Sequence, residues 1–65
     1  MRLSTFNKVK SHWTNYMSQA YPEDYETIIV NLETWDYTDK NNRYEEDCPE
    51  EYRDELVAWL REEYL

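Results

Sequence analysis

Leu3, Phe6, Val9, Trp13, Tyr16, Met17 and Ala20 recur at steps of three and four residues. That spacing places them on one face of an α-helix. Ser4 or Thr5 offers a capping oxygen at its start. Pro22 blocks continuation, so the helix is expected to end near Ala20. The last segment, CPEEYRDELVAWLREEYL, repeats the pattern. Tyr52, Leu56, Trp59 and Leu60 form an apolar stripe flanked by Val57 and Tyr64, while Glu51, Asp54, Glu55 and Glu62 fall on another face. Pro49 suits the first turn, Asp47 offers a cap, and Glu50 and Glu51 suit the positive helix start.

The middle segment, PEDYETIIVNLETW, carries two patterns at once. Tyr25, Ile28, Ile29, Leu32 and Trp35 share a helical face, and Pro22, Glu23 and Asp24 suit a helix start. Thr27, Ile28, Ile29, Val30, Thr34 and Trp35 instead favour strand. The following TWDYTDKNNRYEE also fits a hairpin turning at Asp39–Asn42. The helical reading is preferred, because PEDY at 22–25 echoes PEEY at 49–52, where the second copy opens a clear helix. Four residues are too few for a true repeat. Residues 36–48 are then a polar loop, long for so small a domain. The expectation is one mainly α domain over 1–65 with three helices; the alternative is an α+β helix–hairpin–helix. Trp13, Leu56 and Trp59 are expected in the core.

Composition bounds what such a domain does. A chain of 65 residues sits near the lower limit for folding on one core, with a stability on the order of 3–5 kcal/mol. Three Trp, seven Tyr and one Phe argue against disorder despite the low hydropathy. The absence of glycine excludes the phosphate-cradling loops that need close backbone approach. No apolar run approaches a membrane span, and one cysteine forms no internal disulfide. Both features fit a reducing cytoplasm.

Chemistry is sparse. His12 is the single histidine and reads as a boundary residue of the first helix. With Cys48 it supplies too few ligands for a structural zinc site. Cys48, flanked by acids, reads as an inert half-buried thiol. Asp39 to Glu50 has the length of a calcium loop, with Asn41 and Asp47 in ligand places. Arg43 and Tyr44 stand where a ligand and a glycine belong, which argues against calcium. Paired carboxylates need a cleft to do acid–base work, and these lie in polar stretches. Neither an enzyme nor a cofactor or metal site is expected.

Charge distribution changes the picture most. The balance is 15 acids against 7 bases, and every acid lies beyond Pro22. Residues 1–22 hold Arg2, Lys8 and Lys10, whereas residues 23–65 carry a net −11. EEDCPEEYRDE, residues 45–55, holds seven carboxylates in eleven positions. With 45–48 extended and 49–55 helical, the stretch spans ~24 Å. One charge then falls per ~3.4 Å, the density of one DNA strand. Such a body is repelled by nucleic acid and anionic lipid and attracted to basic proteins. Tyr21, Tyr25, Tyr37, Tyr44, Tyr52 and Tyr64 are interspersed among the acids, and tyrosine is enriched at interface hot spots.

In these features the chain resembles the phage-encoded DNA mimics: anti-restriction proteins, anti-CRISPR proteins and inhibitors of uracil-DNA glycosylase. The resemblance implies an inhibitor acting in the cytoplasm of an infected bacterium. It would occupy the basic groove of a nuclease, a Cascade-type complex or a repair enzyme, with no direct nucleic-acid or membrane contact. Glu45, Glu46, Asp47, Glu50, Glu51, Asp54 and Glu55 would stand in for phosphates, and Tyr44 and Tyr52 would be the anchors. Two alternatives remain. One is a regulator or antitoxin-type protein docking through its amphipathic last helix; the other is a solvated charge coat without a dedicated partner.

Overall fold

The computed structural model describes residues 3–39, 41 and 44–65. Helix α1 runs Leu3–Gln19 and α2 Tyr25–Glu33, entered through a 3-10 turn at Pro22–Asp24. A single turn, α3, covers Tyr44–Asp47, and α4 runs Glu50–Tyr64. Among the described residues there is no strand, so the three-helix expectation holds and the hairpin does not form. Lys40 and Asn42, in the turn that the hairpin would need, lie outside the described residues. The β-branched run Thr27–Val30 is overridden because Ile29 and Leu32, three residues apart, both reach the core only from a helix.

The boundaries follow from the backbone. α1 starts at Leu3, so Ser4 and Thr5 lie inside it and do not cap it. Its last turn tightens where the Ala20 amide bonds the Met17 carbonyl at 3.1 Å. Tyr21 is then extended, and Pro22 opens the 3-10 turn with Glu23 and Asp24 beside it. Pro49 is the N-cap residue of α4, so the expected Asp47 cap is not made; Asp47 closes α3 instead. Glu50 and Glu51 do fill the first turn, where carboxylates complement the exposed amides. With no glycine in the chain, every described turn is made without a positive φ.

The core joins α1, α2 and α4, with Tyr44 of α3 packed against it. Val9, Trp13 and Met17 from α1 meet Ile29 and Leu32 from α2 and Tyr52, Leu56, Val57 and Leu60 from α4. Cys48, between α3 and α4, is buried with them, more deeply than its acidic flanks imply. Phe6 stacks on Tyr52, with ring centroids 5.9 Å apart. Tyr25 meets Tyr64 edge-on at 5.2 Å, while Arg53 Nη1 donates to the Trp35 carbonyl at 3.1 Å. These contacts, start to end and end to start, set α2 and α4 antiparallel. Leu56 and Trp13 are core as expected; Trp59 is only half-buried, and Tyr16 of the apolar series is exposed. The radius of gyration, 11.3 Å, matches the ~11 Å of a compact chain this long, so the charge does not expand the fold.

Candidate functional site

Helical spacing sorts the acids of α4. Five of the six, Glu50, Glu51, Asp54, Glu55 and Glu62, fall within a single arc opposite Leu56 and Leu60, while Glu63 lies beside the apolar stripe at the helix end; all six are exposed. Asp54 is the extreme case, its side chain 97% exposed. Among the described residues none that is charged or polar is buried, so no carboxylate serves the core. α1 has no acid anywhere along it. The molecule is therefore two-faced, with an acid-free helix on one side and the acidic face of α4 on another.

The remaining expected site residues lie elsewhere. Residues 45–47 are helical, not extended, which shortens the expected ~24 Å run and turns its charges to different sides. Glu46 and Asp47 border Lys8, Val9 and His12 of α1 in a shallow groove of about 170 Å³. There Asp47 Oδ1 lies 3.7 Å from His12 Nε2, an ion pair only when His12 is protonated. Lys8 of α1 thus stands beside these two acids. The side chain of Glu45 lies outside those described.

Of the two expected tyrosine anchors, Tyr52 is not at the surface and Tyr44 is partly so. Tyr52 is only 5% exposed and belongs to the core, because its place in the apolar stripe of α4 turns it inward. Tyr44 is half-buried, with its ring centroid 4.0 Å from that of Trp35 and 5.4 Å from that of Trp13. Burial, with Tyr16 and Asp47 nearby, raises its phenol above the ordinary value. Tyr25, Tyr37 and Tyr64 are likewise half-buried, so most of the tyrosine is used in packing. Tyr21, at 71% exposure, and Tyr16 are the exposed ones.

Several contacts hold α3 against the body. Trp13 Nε1 donates to the Asp47 carbonyl at 3.2 Å, and the Tyr37 hydroxyl donates to the Cys48 carbonyl at 2.6 Å. The Arg53 guanidinium lies 5.3 Å from the Tyr37 ring centre and donates to the Trp35 carbonyl. Arg53 thereby bridges the fold and the edge of the acidic face, where its Nε lies 3.6 Å from Asp54 Oδ1. Burial pushes the Cys48 thiol upward, a larger effect than neighbouring Asp47, and keeps it protonated and unreactive. Burial and the bond to Cys48 also raise the Tyr37 phenol.

Beside the acidic face lies a second groove, between α2 and α4, of about 300 Å³. Val57 and Ala58 line it with Glu33, Asp54 and Arg61. Arg61 Nη2 donates to Glu33 Oε1 at 3.1 Å across it. Its position was not evident in the sequence; the signal was there in the i, i+4 spacing of Asp54 and Ala58, but not the approach of Glu33 from α2. The described residues hold no group of three metal-ligating side chains, and no helix among them is long and apolar enough to cross a membrane. Comparison of the chain with protein families, with curated proteins and with solved structures finds no match.

Proposed function

We propose that the protein is an inhibitor that docks its acidic α4 face on the basic nucleic-acid-binding groove of a host defence or DNA-processing protein. The observation that carries this reading is the one-sided arc of Glu50, Glu51, Asp54, Glu55 and Glu62 on a rigid helix. From residue 50 to residue 62 the helix rises about 18 Å, a length over which one DNA strand carries about five phosphates. Carboxylates accept bidentate hydrogen bonds from arginine as phosphates do. A fixed array costs little ordering entropy on binding. The target class is a nuclease, a Cascade-type complex or a repair enzyme, as in the anti-CRISPR and anti-restriction mimics that the chain resembles, and the site of action is the bacterial cytoplasm.

Docking through the apolar stripe of α4 is disfavoured. Tyr52, Leu56, Val57 and Leu60 are buried against α1 and α2, so a partner could reach them only by unfolding the domain. The test uses immobilised protein offered a bacterial lysate with and without excess duplex DNA. DNA-binding proteins should be retained, and DNA and rising salt should both release them. Reversal of Glu50, Glu51, Asp54 and Glu55 to Lys should abolish retention while a cooperative melt persists. A partner retained equally by the reversed variant, or indifferent to DNA, would sink the mimic.

A further inference from the structure

We propose that the groove between α2 and α4 is an arginine pocket, taking one arginine side chain of the partner and preferring it over lysine. This rests on the acidic-face reading above and names its anchor. The groove, about 300 Å³, is at the lower end of small-molecule pocket sizes and suits a single side chain. Its surface combines the two parts of an arginine. Val57 and Ala58 offer apolar contact for the aliphatic stem, and Glu33 and Asp54 offer carboxylates for the guanidinium.

The groove is suited to a cation, and to a guanidinium in particular. Arg61 already places one here, 3.1 Å from Glu33 Oε1, which shows that the planar fork fits. That pair is roughly half-exposed on both sides, so an incoming group can exchange with it. Among the described residues the ion pair of Asp54 is with Arg53, whose Nε lies 3.6 Å away, and that guanidinium also donates to the Trp35 carbonyl. The groove's own lining of Glu33, Asp54 and Arg61 sums to −1, and Arg53 meets Asp54 from outside it, so the carboxylates are lightly paired at an exposed site and open to a competing cation. Glu26, Val30 and Glu33 line one face of α2 by their spacing, extending the acidic, partly apolar rim; Val30 is 37% exposed. The groove at Glu46 and Asp47 has the same formal charge with His12 neutral, but at about 170 Å³ it is the smaller, and its only apolar lining residue is Val9. Arginine is the better fit than lysine because its guanidinium is weakly hydrated and bidentate, whereas an ammonium holds its water against an apolar floor.

The experiment titrates isotopically labelled protein at low salt with Nα-acetyl-arginine amide and, separately, Nα-acetyl-lysine amide, which carry equal charge. Saturable amide shifts centred on Glu33, Asp54, Val57 and Ala58 are expected with the arginine derivative, and at least about three-fold weaker binding with lysine. Glu33→Gln and Asp54→Asn, both at exposed positions, should each weaken arginine binding about three- to ten-fold while the melt is unchanged. Equal binding of both derivatives, or shifts spread evenly over the acidic residues, overturns the pocket. Concentration-dependent broadening of the groove signals without any derivative also overturns it, because a second copy would then be the occupant. The two readings fail separately. Retention that survives charge reversal, with arginine still bound in the groove, removes the mimic and keeps the pocket. Retention lost on reversal, with arginine and lysine alike, removes the pocket and keeps the mimic.

Discussion

Trp13 is the largest of the fully buried side chains and also makes a long-range hydrogen bond. It is buried to 1%, it touches Tyr16 and Tyr44, and its indole donates to the Asp47 carbonyl. Trp13→Ala therefore removes a large core volume and orphans a carbonyl at once. A cost of about 3–5 kcal/mol equals the whole stability expected of so small a domain. The variant should be largely unfolded at 25 °C by circular dichroism. Trp59 is half-buried, its ring edge-on to Tyr64 and beneath Lys10 at 5.8 Å. Trp59→Ala should cost only about 1–2 kcal/mol and keep a cooperative urea transition. Equal destabilisation by the two changes would contradict the deeper burial of Trp13.

Cys48, Tyr37 and Tyr44 give the residue scale a pH dependence. Each is neutral when protonated, and folding raises each above its ordinary value of 9.0 for the thiol or 10.0 for the phenols. The unfolded chain thus releases these protons first, and stability falls as pH rises. Their contribution is full below about pH 8 and declines from about pH 9 upward, the thiol first. Melting temperature followed from neutral to alkaline pH should show this fall. Cys48→Ala should flatten its earliest part, whatever its absolute stability. A flat profile in the parent would show that these groups titrate alike in both states.

At the scale of elements, α3 is the informative case. A helix of four residues has no stability of its own, because one turn does not repay its nucleation. It persists through contacts brought from distant segments: Trp13 from α1, Trp35 after α2 and the Tyr37 hydroxyl. Tyr37→Phe keeps the ring against Arg53 and removes only the bond to the Cys48 carbonyl. It should cost about 0.5–1.5 kcal/mol overall. The local signature should be faster amide exchange at Cys48 and faster proteolysis between α2 and α4. Unchanged exchange there would mean that aromatic packing alone holds the turn.

The whole molecule is governed by its charge. With a net −8 and five carboxylates on one arc of α4, self-repulsion opposes the compact state. Added salt screens it, so the melting temperature should rise between low and moderate ionic strength. The four-residue reversal takes the net charge from −8 to 0. Two effects then compete. Repulsion falls across the molecule, while Lys at positions 50 and 51 faces the positive start of α4, costing about 0.3–1 kcal/mol each. Reversing only Asp54 and Glu55 separates them and should raise the melting temperature above that of the parent. A drop in that variant would show that these carboxylates stabilise the fold and are not spare charge.

The periodic apolar positions of α1 and α4 determined those helices by themselves, since a face of Val9, Trp13 and Met17 or of Leu56 and Leu60 closes only at helical spacing. The exposed acidic arc of α4 was equally legible, because what lies opposite a buried stripe faces water. Local sequence could not decide the rest. The segment 25–33 held strand-favouring residues on a helical pattern, and the core chose between them. The polar composition of 36–48 concealed α3, whose partners lie up to 34 residues away in sequence. Tyr44 and Tyr52 looked like surface anchors because acids flank them in sequence. Neighbours on a helix point in different directions, so Tyr52 is buried between exposed Glu51 and half-buried Arg53. The groove of Glu33, Asp54 and Arg61 exists only where α2 and α4 pack antiparallel, a relation that neither helix encodes alone.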